Sequence, residues 1–324
     1  MAKSLDLPGG YKIPVVGLGT WDAKDERELV MAVNAALELG YRHIDTAFAY
    51  ENEKIIGGVL KQWFNLGKLK REDIFITTKL PVTAVRADKV EEFLKKSLEN
   101  LGLDYVDLYL IHFPVCLKVN QGEAVAKKTY DTENTDHVAV WKKMGEQVDN
   151  GLTRSIGLSN FNIKQIQRIL DSNPKHKPAN LQVEVHVYFQ QHELIDYCNK
   201  NGITVTAYSP LGTPGINKFL ISLGQEPKKL PDMLYNEQIK QIGDKHKKSN
   251  AQVMLKFLLQ KNLIVIPKSV KPTRLKENID LFDFTLDNED LKILNSMNVG
   301  PQARICDWKM LPGLEFNPEY PFEK

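Results

Sequence analysis

The stretch that decides the fold is "DIFITTKL" (73–80), followed by "ADKVEEFLKKSLENLG" (87–102). The first segment is a short apolar run rich in β-branched residues, and this pattern is typical of a buried strand. The second has apolar residues at three- and four-residue spacing and ends at Gly102, as a helix with a glycine cap does. Together the two segments predict one βα unit.

The same alternation recurs along the chain. The other predicted strands are "VVGLGTW", "HID", "VDLYLIH", "RSIGLS", "LQVEVHV", "ITVTAY" and "NLIVIPKS". The other predicted helices are "DERELVMAVNAALELG", "NEKIIGGVLKQWFNLG", "DHVAVWKKMGEQVDNG", "IKQIQRILDS", "HELIDYCNKNG", "NEQIKQIGDKHKK" and "PTRLKENIDL". Near-continuous apolar strands indicate a parallel sheet that is covered on both faces. Eight such units predict an α/β fold of the (β/α)8 TIM barrel type.

Two features lie outside the repeat. "SLDLPGGYKIP" predicts an N-terminal β-hairpin that turns at residues 8–10, and "NEDLKILNSM" predicts an extra helix near the C-terminus. Three segments, 114–136, 209–232 and 299–324, are longer than a connection needs and are expected to form substrate loops. No linker interrupts the pattern, so we expect residues 1–324 to form a single domain.

Composition excludes several classes of function. Lys plus Arg number 43 and Asp plus Glu 41, a net charge of +2 that gives no reason to expect nucleic acid or a membrane surface as partner. The N-terminus lacks a signal-like apolar run, and no stretch approaches a membrane span of ~20 apolar residues. Cys116, Cys198 and Cys306 match neither a disulfide framework nor a zinc site. We therefore expect a cytoplasmic, metal-free protein, with a monomer as the default.

Four polar residues are predicted to meet at one rim of the barrel. Asp45 ends the second strand, Tyr50 lies on the loop that follows it, and Lys79 and His112 end the third and fourth strands. Active sites of such barrels form at the carboxyl ends of the strands. Taken singly, the aspartate could be only a helix cap and the histidine only a satisfied core residue. A lysine that ends a buried strand needs a partner, so the four residues together favour a site.

The chemistry of these side chains suggests a role for each. A close ammonium such as that of Lys79 favours the phenolate, so we expect it to lower the pKa of Tyr50. Asp45 would hold Lys79 by an ion pair, and His112 would orient a carbonyl oxygen.

These four residues, together with three further motifs, resemble a known family. The four residues occur with three motifs in chain order: "GLGTW" (17–21), "GLSNF" (157–161) and "IPKSVKPTRLKEN" (266–278). This set resembles the aldo-keto reductase superfamily, in particular its aldose-reductase-like members, from the first hairpin to the extra C-terminal helix. The resemblance implies NADPH-dependent reduction of aldehydes and ketones to alcohols. It also implies that Tyr50 is the general acid, that Lys79 and Asp45 tune it, and that His112 positions the carbonyl.

The residue types in the last motif, 266–278, also suggest a function without the resemblance. Lys268, Ser269 and Arg274 place two cations and a hydroxyl at a helix start, which favours anions, although an exposed basic turn is the alternative. The resemblance implies that these three residues hold the adenosine 2′-phosphate and that Glu277 and Asn278 contact the adenine.

The resemblance also implies the nicotinamide end of the site. Ser159, Asn160 and Gln182 would bind the carboxamide, and Tyr208 would stack on the ring. The remaining implied cofactor positions are Gly19, Thr20, Trp21, Ser209, Leu211 and Val270. No GxGxxG follows a strand, which agrees with a cofactor held by barrel loops.

The substrate pocket departs from the family pattern. Pro81 and Phe113 stand where many relatives have tryptophan, and Val187 replaces a common proline. The smaller walls predict room for a bulky apolar or steroid-like ketone, although each aromatic could also be ordinary packing. The pattern is closest to insect members, some of which reduce oxidised ecdysteroids, as a 3-dehydroecdysone reductase does. The candidate lining residues are Trp21, Phe48, His112, Phe113, Trp308 and Leu311.

Two alternatives stay open from the sequence. Lys79 could be the Schiff-base nucleophile of a barrel aldolase, although Asp45 and Tyr50 beside it are then hard to explain. The chain could also be a regulatory or structural member of the same fold that binds cofactor with little turnover.

Overall fold

The computed structural model describes residues 3–119, 130–133, 135–229, 232–311 and 313–323. Each predicted long loop includes positions outside the described residues. These positions are 120–129 and 134 in the first loop, 230 and 231 in the second, and 312 and 324 in the third.

The strands form a barrel with two small hairpins. In chain order they are β1 (Ser4–Asp6), β2 (Lys12–Pro14), β3 (Leu18–Gly19), β4 (His43–Asp45), β5 (Phe75–Leu80), β6 (Val106–Ile111), β7 (Cys116–Val119), β8 (Tyr130–Glu133), β9 (Thr153–Ser159), β10 (Asn180–Glu184), β11 (Thr204–Tyr208) and β12 (Ile264–Val265). Eight of them form one parallel sheet in the order β3-β4-β5-β6-β9-β10-β11-β12. Parallel bridges from Val16 to Val265 and from Gly19 to Lys268 join its two edges. The predicted (β/α)8 barrel is confirmed.

Helices surround this barrel. They are α1 (Glu26–Glu38), α2 (Glu53–Asn65), α3 (Val90–Leu101), α4 (His137–Asp149), α5 (Ile163–Asp171), α6 (His192–Lys200), α7 (Ile216–Ser222), α8 (Glu237–His246), α9 (Asn250–Gln260), α10 (Pro272–Ile279) and α11 (Asn288–Ser296). Successive helices from α1 to α5 pack side by side, and α10 packs against both α9 and α1. Within the residues that the structure describes, no helix is both long and apolar enough to cross a membrane.

The N-terminal hairpin closes the bottom of the barrel. β1 and β2 pair antiparallel, and Gly9 and Gly10 take positive φ values of 86° and 83° in the turn. Ile13 is fully buried and packs with Phe75 and Leu108 from the strands above it. The carboxyl ends of the parallel strands are therefore at the opposite end of the barrel.

The sequence prediction was incomplete for the seventh unit. The predicted helix there is α8, but α9 follows it and leads into β12, which adds a helix to the predicted eight. The polar residues Gln252, Lys256 and Gln260 recur every four residues in α9, although Gln252 and Lys256 are buried. A second available signal was the capping box that Ser249 forms with Gln252. The hairpin of β7 and β8 and the short helix α7, both within long loops, were also not predicted.

Two adjacent glycines in α2 provide a matched test of packing. A Cβ on Gly57 would overlap the carbonyl oxygen of Leu101, whereas a Cβ on Gly58 meets nothing within 4 Å. We expect Gly57→Ala to lower the free energy of unfolding by about 1–3 kcal/mol through overpacking. Gly58→Ala should raise it by up to about 1 kcal/mol, because alanine is the better helix former. Urea unfolding of both variants measures the difference, and equal effects would contradict this packing of α2.

Candidate active site

A buried ion pair lies at the carboxyl end of the barrel. Lys79 Nζ is 2.7 Å from Asp45 Oδ1 and also donates to the carbonyl oxygen of Thr46 at 2.8 Å. Lys79 is fully buried, and burial lowers its pKa while the Asp45 carboxylate opposes that shift. Neighbouring strands β4 and β5 carry the two side chains, so the strand pairing fixes their distance.

Tyr50 lies directly above this pair. It ends a 3-10 turn at residues 48–50, and Glu51 follows in the left-handed region with φ 57°. Its hydroxyl is 3.4 Å from Lys79 Nζ, which lies 4.9 Å from the centre of the tyrosine ring. Burial, followed by the charge of Asp45, raises the pKa of Tyr50 well above its ordinary value.

The expected lowering of the pKa of Tyr50 is therefore wrong for this structure. The sequence argument considered the nearby ammonium of Lys79 but not the loss of solvent around the phenol, which here has the larger effect. A tyrosine is protonated at neutral pH at its ordinary pKa as well, so the shift makes the phenol a weaker acid and leaves its protonation state at neutral pH unchanged.

His112 completes the group. It follows β6 and is only 7% exposed, and its ring meets that of Tyr50 edge to face at 5.7 Å between centroids. Burial and the charge of Lys79 lower the pKa of His112 well below its ordinary value, so the imidazole is neutral. Its Nδ1 is buried without a hydrogen-bond partner among the described residues. This atom is one of eight buried side-chain atoms in that state among the described residues, so it does not by itself mark a bound molecule.

The predicted nicotinamide residues are connected to the same group. Gln182 Nε2 donates to Asp45 Oδ2 at 2.7 Å, so both oxygens of this carboxylate are paired. Asn160 donates to the carbonyl oxygen of His112 at 2.9 Å and to Ser159 Oγ at 3.2 Å. The hydroxyl of Tyr208 donates to Asn160 Oδ1 at 2.7 Å. The structure thus brings these positions from β9, β10 and β11 together around the ion pair.

Residues 19–21 connect the two ends of the site. Gly19 pairs with Lys268, and the Thr20 amide and hydroxyl both donate to the carbonyl oxygen of Asp45, at 3.1 and 2.9 Å. Trp21 packs edge to face against Phe219, with 5.2 Å between ring centroids. The loop therefore runs from the buried pair towards the basic residues after β12.

Those basic residues fit a phosphate group. Lys268 and Arg274 are exposed, and no described residue forms an ion pair with either. Ser269 is buried beside them, with its Oγ accepting from the amide of Lys271 at 3.1 Å. Arg274 lies in the first turn of α10, where the helix dipole favours an anion. The remaining predicted positions lie on the same segment: Val270 is half-buried, Glu277 is exposed and Asn278 is buried.

On the other side of the site, the segment after β11 supplies the last two predicted cofactor positions. Ser209 takes a positive φ of 51° and its Oγ lies 3.6 Å from Cys306 Sγ, and Leu211 is half-buried against the core. This segment and the C-terminal segment are therefore in contact beside the site.

Not all of the predicted substrate-lining residues can line a pocket in the structure. Phe113 is fully buried beneath Trp308, with 4.6 Å between ring centroids, and it cannot line a pocket directly. Trp308 is half-buried and reaches the ring of His112 at 5.4 Å. Leu311 packs on the same apolar cluster, whereas Phe48 packs edge to face against Phe93 at 5.0 Å. Trp308 is therefore the aromatic that stands beside the polar group.

Asn52 is a site residue that sequence reasoning missed. It is 1% exposed, donates to the carbonyl oxygen of Thr20 at 2.9 Å, and accepts from the hydroxyl of Thr46 at 2.8 Å. Its position just before α2 is that of a helix cap, but its side chain makes no capping bond and ties two loops together instead. The signal in the sequence was an asparagine directly before a helix. That position suggests a helix cap, which is not the role of this side chain.

The fold is a barrel enzyme's, and it holds a group of buried titratable side chains at its carboxyl end. The Aldo/keto reductase family model matches residues 15–299. Aldo-keto reductase family 1 member A1 of Gallus gallus is 41% identical over 98% of this chain and 96% of its own length. The chain belongs to the aldo/keto reductase family.

Solved structures agree with this assignment. The aldose reductase from Schistosoma japonicum is 42% identical with a TM-score of 0.86, and the match covers 99% of each chain. A Bombyx mori aldo-keto reductase, solved in complex with NADP, is 36% identical with a TM-score of 0.84, again over 99% of each chain. The resemblance to the superfamily and to its insect members is confirmed.

Proposed function

We propose that this protein reduces aldehydes and ketones to alcohols with NADPH, with Tyr50 as the proton donor. One observation carries the proposal: Lys79 Nζ lies within hydrogen-bond reach of both Asp45 and the Tyr50 hydroxyl, and the Tyr50 ring packs edge to face against the neutral imidazole of His112. This arrangement suits a carbonyl oxygen that must gain a proton as its carbon is reduced. The related Bombyx mori enzyme in complex with NADP supports the choice of cofactor.

Each residue has a defined task in this reaction. When bound, NADPH supplies the hydride that reaches the carbonyl carbon. The neutral imidazole of His112 orients the carbonyl oxygen towards the Tyr50 hydroxyl, which gives up its proton to that oxygen. The ammonium of Lys79 then stabilises the phenolate left behind, and Asp45 holds that ammonium in place. Delivery of the proton as charge develops keeps an alkoxide from forming.

The residues that would hold NADPH lie on either side of this group. Ser159, Asn160 and Gln182 would bind the carboxamide, and Tyr208 would stack on the nicotinamide. The exposed cations Lys268 and Arg274 would take the 2′-phosphate.

The substrate class follows from the apolar side of the site. Trp308, backed by the buried Phe113, places an aromatic surface beside His112. An apolar surface next to one polar group favours an apolar ketone, bulky or steroid-like, up to the size that the position of Trp308 allows. We further propose that the protein works as a cytoplasmic monomer. Steady-state NADPH oxidation with aldehydes, quinones and steroid ketones tests the reaction, and a lack of turnover on all of them would favour a cofactor-binding role instead.

Arg274→Ala tests the cofactor assignment. We expect this variant to weaken NADPH binding by about 10–100-fold, as loss of a charged hydrogen bond does, while NADH affinity changes little. Fluorescence titration of both cofactors measures the effect. Lys276→Ala removes an exposed cation from the same helix, away from its start, and should leave both affinities unchanged. An equal loss for NADPH and NADH in Arg274→Ala would contradict a 2′-phosphate site.

A further inference from the structure

The segment that carries Trp308 is held at its backbone from two sides. The buried carboxylate of Glu184, at the end of β10, accepts from the amides of Ile305 and Cys306, both at 2.7 Å. The hydroxyl of Tyr320 donates to the carbonyl oxygen of Asp307 at 2.6 Å. The chain just before Trp308 is therefore fixed to a barrel strand and to the C-terminal tail.

A third contact comes from the long segment after β11. Lys228 Nζ donates to Asp307 Oδ1 at 2.6 Å and to the carbonyl oxygen of Ile305 at 2.9 Å. The same Asp307 oxygen accepts from the amide of Lys309 at 3.1 Å. The side chains of Lys228 and Asp307 are only 30% and 22% exposed, so solvent screens this pair less than a surface pair.

Lys228 is itself positioned by its neighbours. Asn217, in α7, donates to the carbonyl oxygen of Lys228 and accepts from its amide, both at 2.8 Å. In the same segment, Gln225 donates to the carbonyl oxygen of Met310 at 2.9 Å. The segment from Asn217 to Lys228 therefore holds the ammonium of Lys228 against Asp307 and also contacts the chain beyond Trp308.

Trp308 needs this support because of its backbone. Its φ is 61°, in the left-handed region that bulky residues rarely adopt and that persists only when surrounding contacts impose it. In this conformation the indole lies over Phe113 and edge-on to His112. Asp307 makes contacts on both sides of Trp308. Its backbone carbonyl oxygen accepts from the hydroxyl of Tyr320, and its carboxylate accepts from the amide of Lys309.

We propose that Lys228 and Asp307 are positioning residues that hold Trp308 against His112 and thereby set the size of carbonyl compound that the site accepts. The statement about size rests on the proposed function, whereas the placement of Trp308 does not. Breaking the pair should free the indole and widen the site.

The placement of Trp308 can be tested without cofactor or turnover. The protein contains four tryptophans, so labelling with 5-fluorotryptophan gives a simple fluorine NMR spectrum, in which Trp308→Phe assigns one resonance. Lys228→Met and Asp307→Asn are expected to shift or broaden that resonance alone. Lys229→Met removes the exposed neighbouring lysine and should leave the spectrum unchanged. An unaltered Trp308 resonance in both Lys228→Met and Asp307→Asn would overturn the proposal.

The effect on specificity is measured by the ratio of kcat/KM for a bulky ketone to that for a small aldehyde. Each single variant is expected to raise this ratio about fivefold or more, and the double variant to add little, because the two residues act as one unit. Lys228→Arg, which keeps the ion pair, should retain the wild-type ratio. If no carbonyl compound is turned over, the proposed function fails but the NMR result stands. An unchanged ratio in an active enzyme overturns the role in specificity.

Discussion

Tyr50→Phe is expected to lower kcat by about 10²–10⁴-fold, which is the range that a positioned general acid contributes. The substitution removes only the hydroxyl, which lies 3.4 Å from Lys79 Nζ, and keeps the ring that packs edge to face with His112. Stability and NADPH affinity should therefore change little.

The measurement must separate chemistry from binding. Turnover of a ketone and fluorescence titration of NADPH on the same preparation do so, with thermal unfolding as a check on folding. Tyr109→Phe is the matched control: it removes another buried tyrosine hydroxyl, which bonds the carbonyl oxygen of Val90 at 3.4 Å, away from the site. This control should keep kcat near the wild-type value. A Tyr50→Phe protein that binds NADPH and still reduces its ketone at a near-native rate would rule out Tyr50 as the proton donor.

Most of the barrel could be predicted from sequence, because each unit shows its own local pattern. A buried strand such as β5 appears as an apolar run, and α3 shows a helical period that ends at Gly102. The exception is α9, in which the polar residues Gln252, Lys256 and Gln260 recur every four residues and Ser249 begins a capping box. These local signals were present in the sequence, and the prediction did not use them.

The polar residues of the site were also predictable, because strand ends in a barrel converge at one rim. What could not be predicted are contacts between distant segments. Nothing near Glu184 indicates that it binds the amide of Cys306, and nothing near Phe113 indicates that Trp308 covers it. The sign of the pKa shift of Tyr50 was also missed, since it depends on how deeply the phenol is buried.

Lys79→Met is expected to abolish turnover and also to lower the free energy of unfolding by about 3–5 kcal/mol, the cost of breaking a buried ion pair. Lys79 is fully buried and donates to Asp45 at 2.7 Å and to the carbonyl oxygen of Thr46 at 2.8 Å. Methionine fills a similar volume but donates nothing. Among the described residues, the carboxylate of Asp45, a residue that is 2% exposed, would keep only the hydrogen bond from Gln182 at 2.7 Å, which leaves a buried charge without its counter-charge.

The double variant Lys79→Met/Asp45→Asn tests the cause of that loss. The side-chain amide of the asparagine introduced at position 45 is uncharged, and its oxygen can still accept from Gln182. Most of the lost stability should therefore return while turnover stays absent. Urea unfolding of the two variants and the wild type measures the difference, and NADPH oxidation measures the activity. A double variant as unstable as Lys79→Met would show that the loss arises from packing around residue 79. Recovery of stability without activity would separate the two roles of Lys79. The charge of Lys79 would then be needed for proton transfer from Tyr50, and Asp45 would be needed only to stabilise that charge inside the barrel.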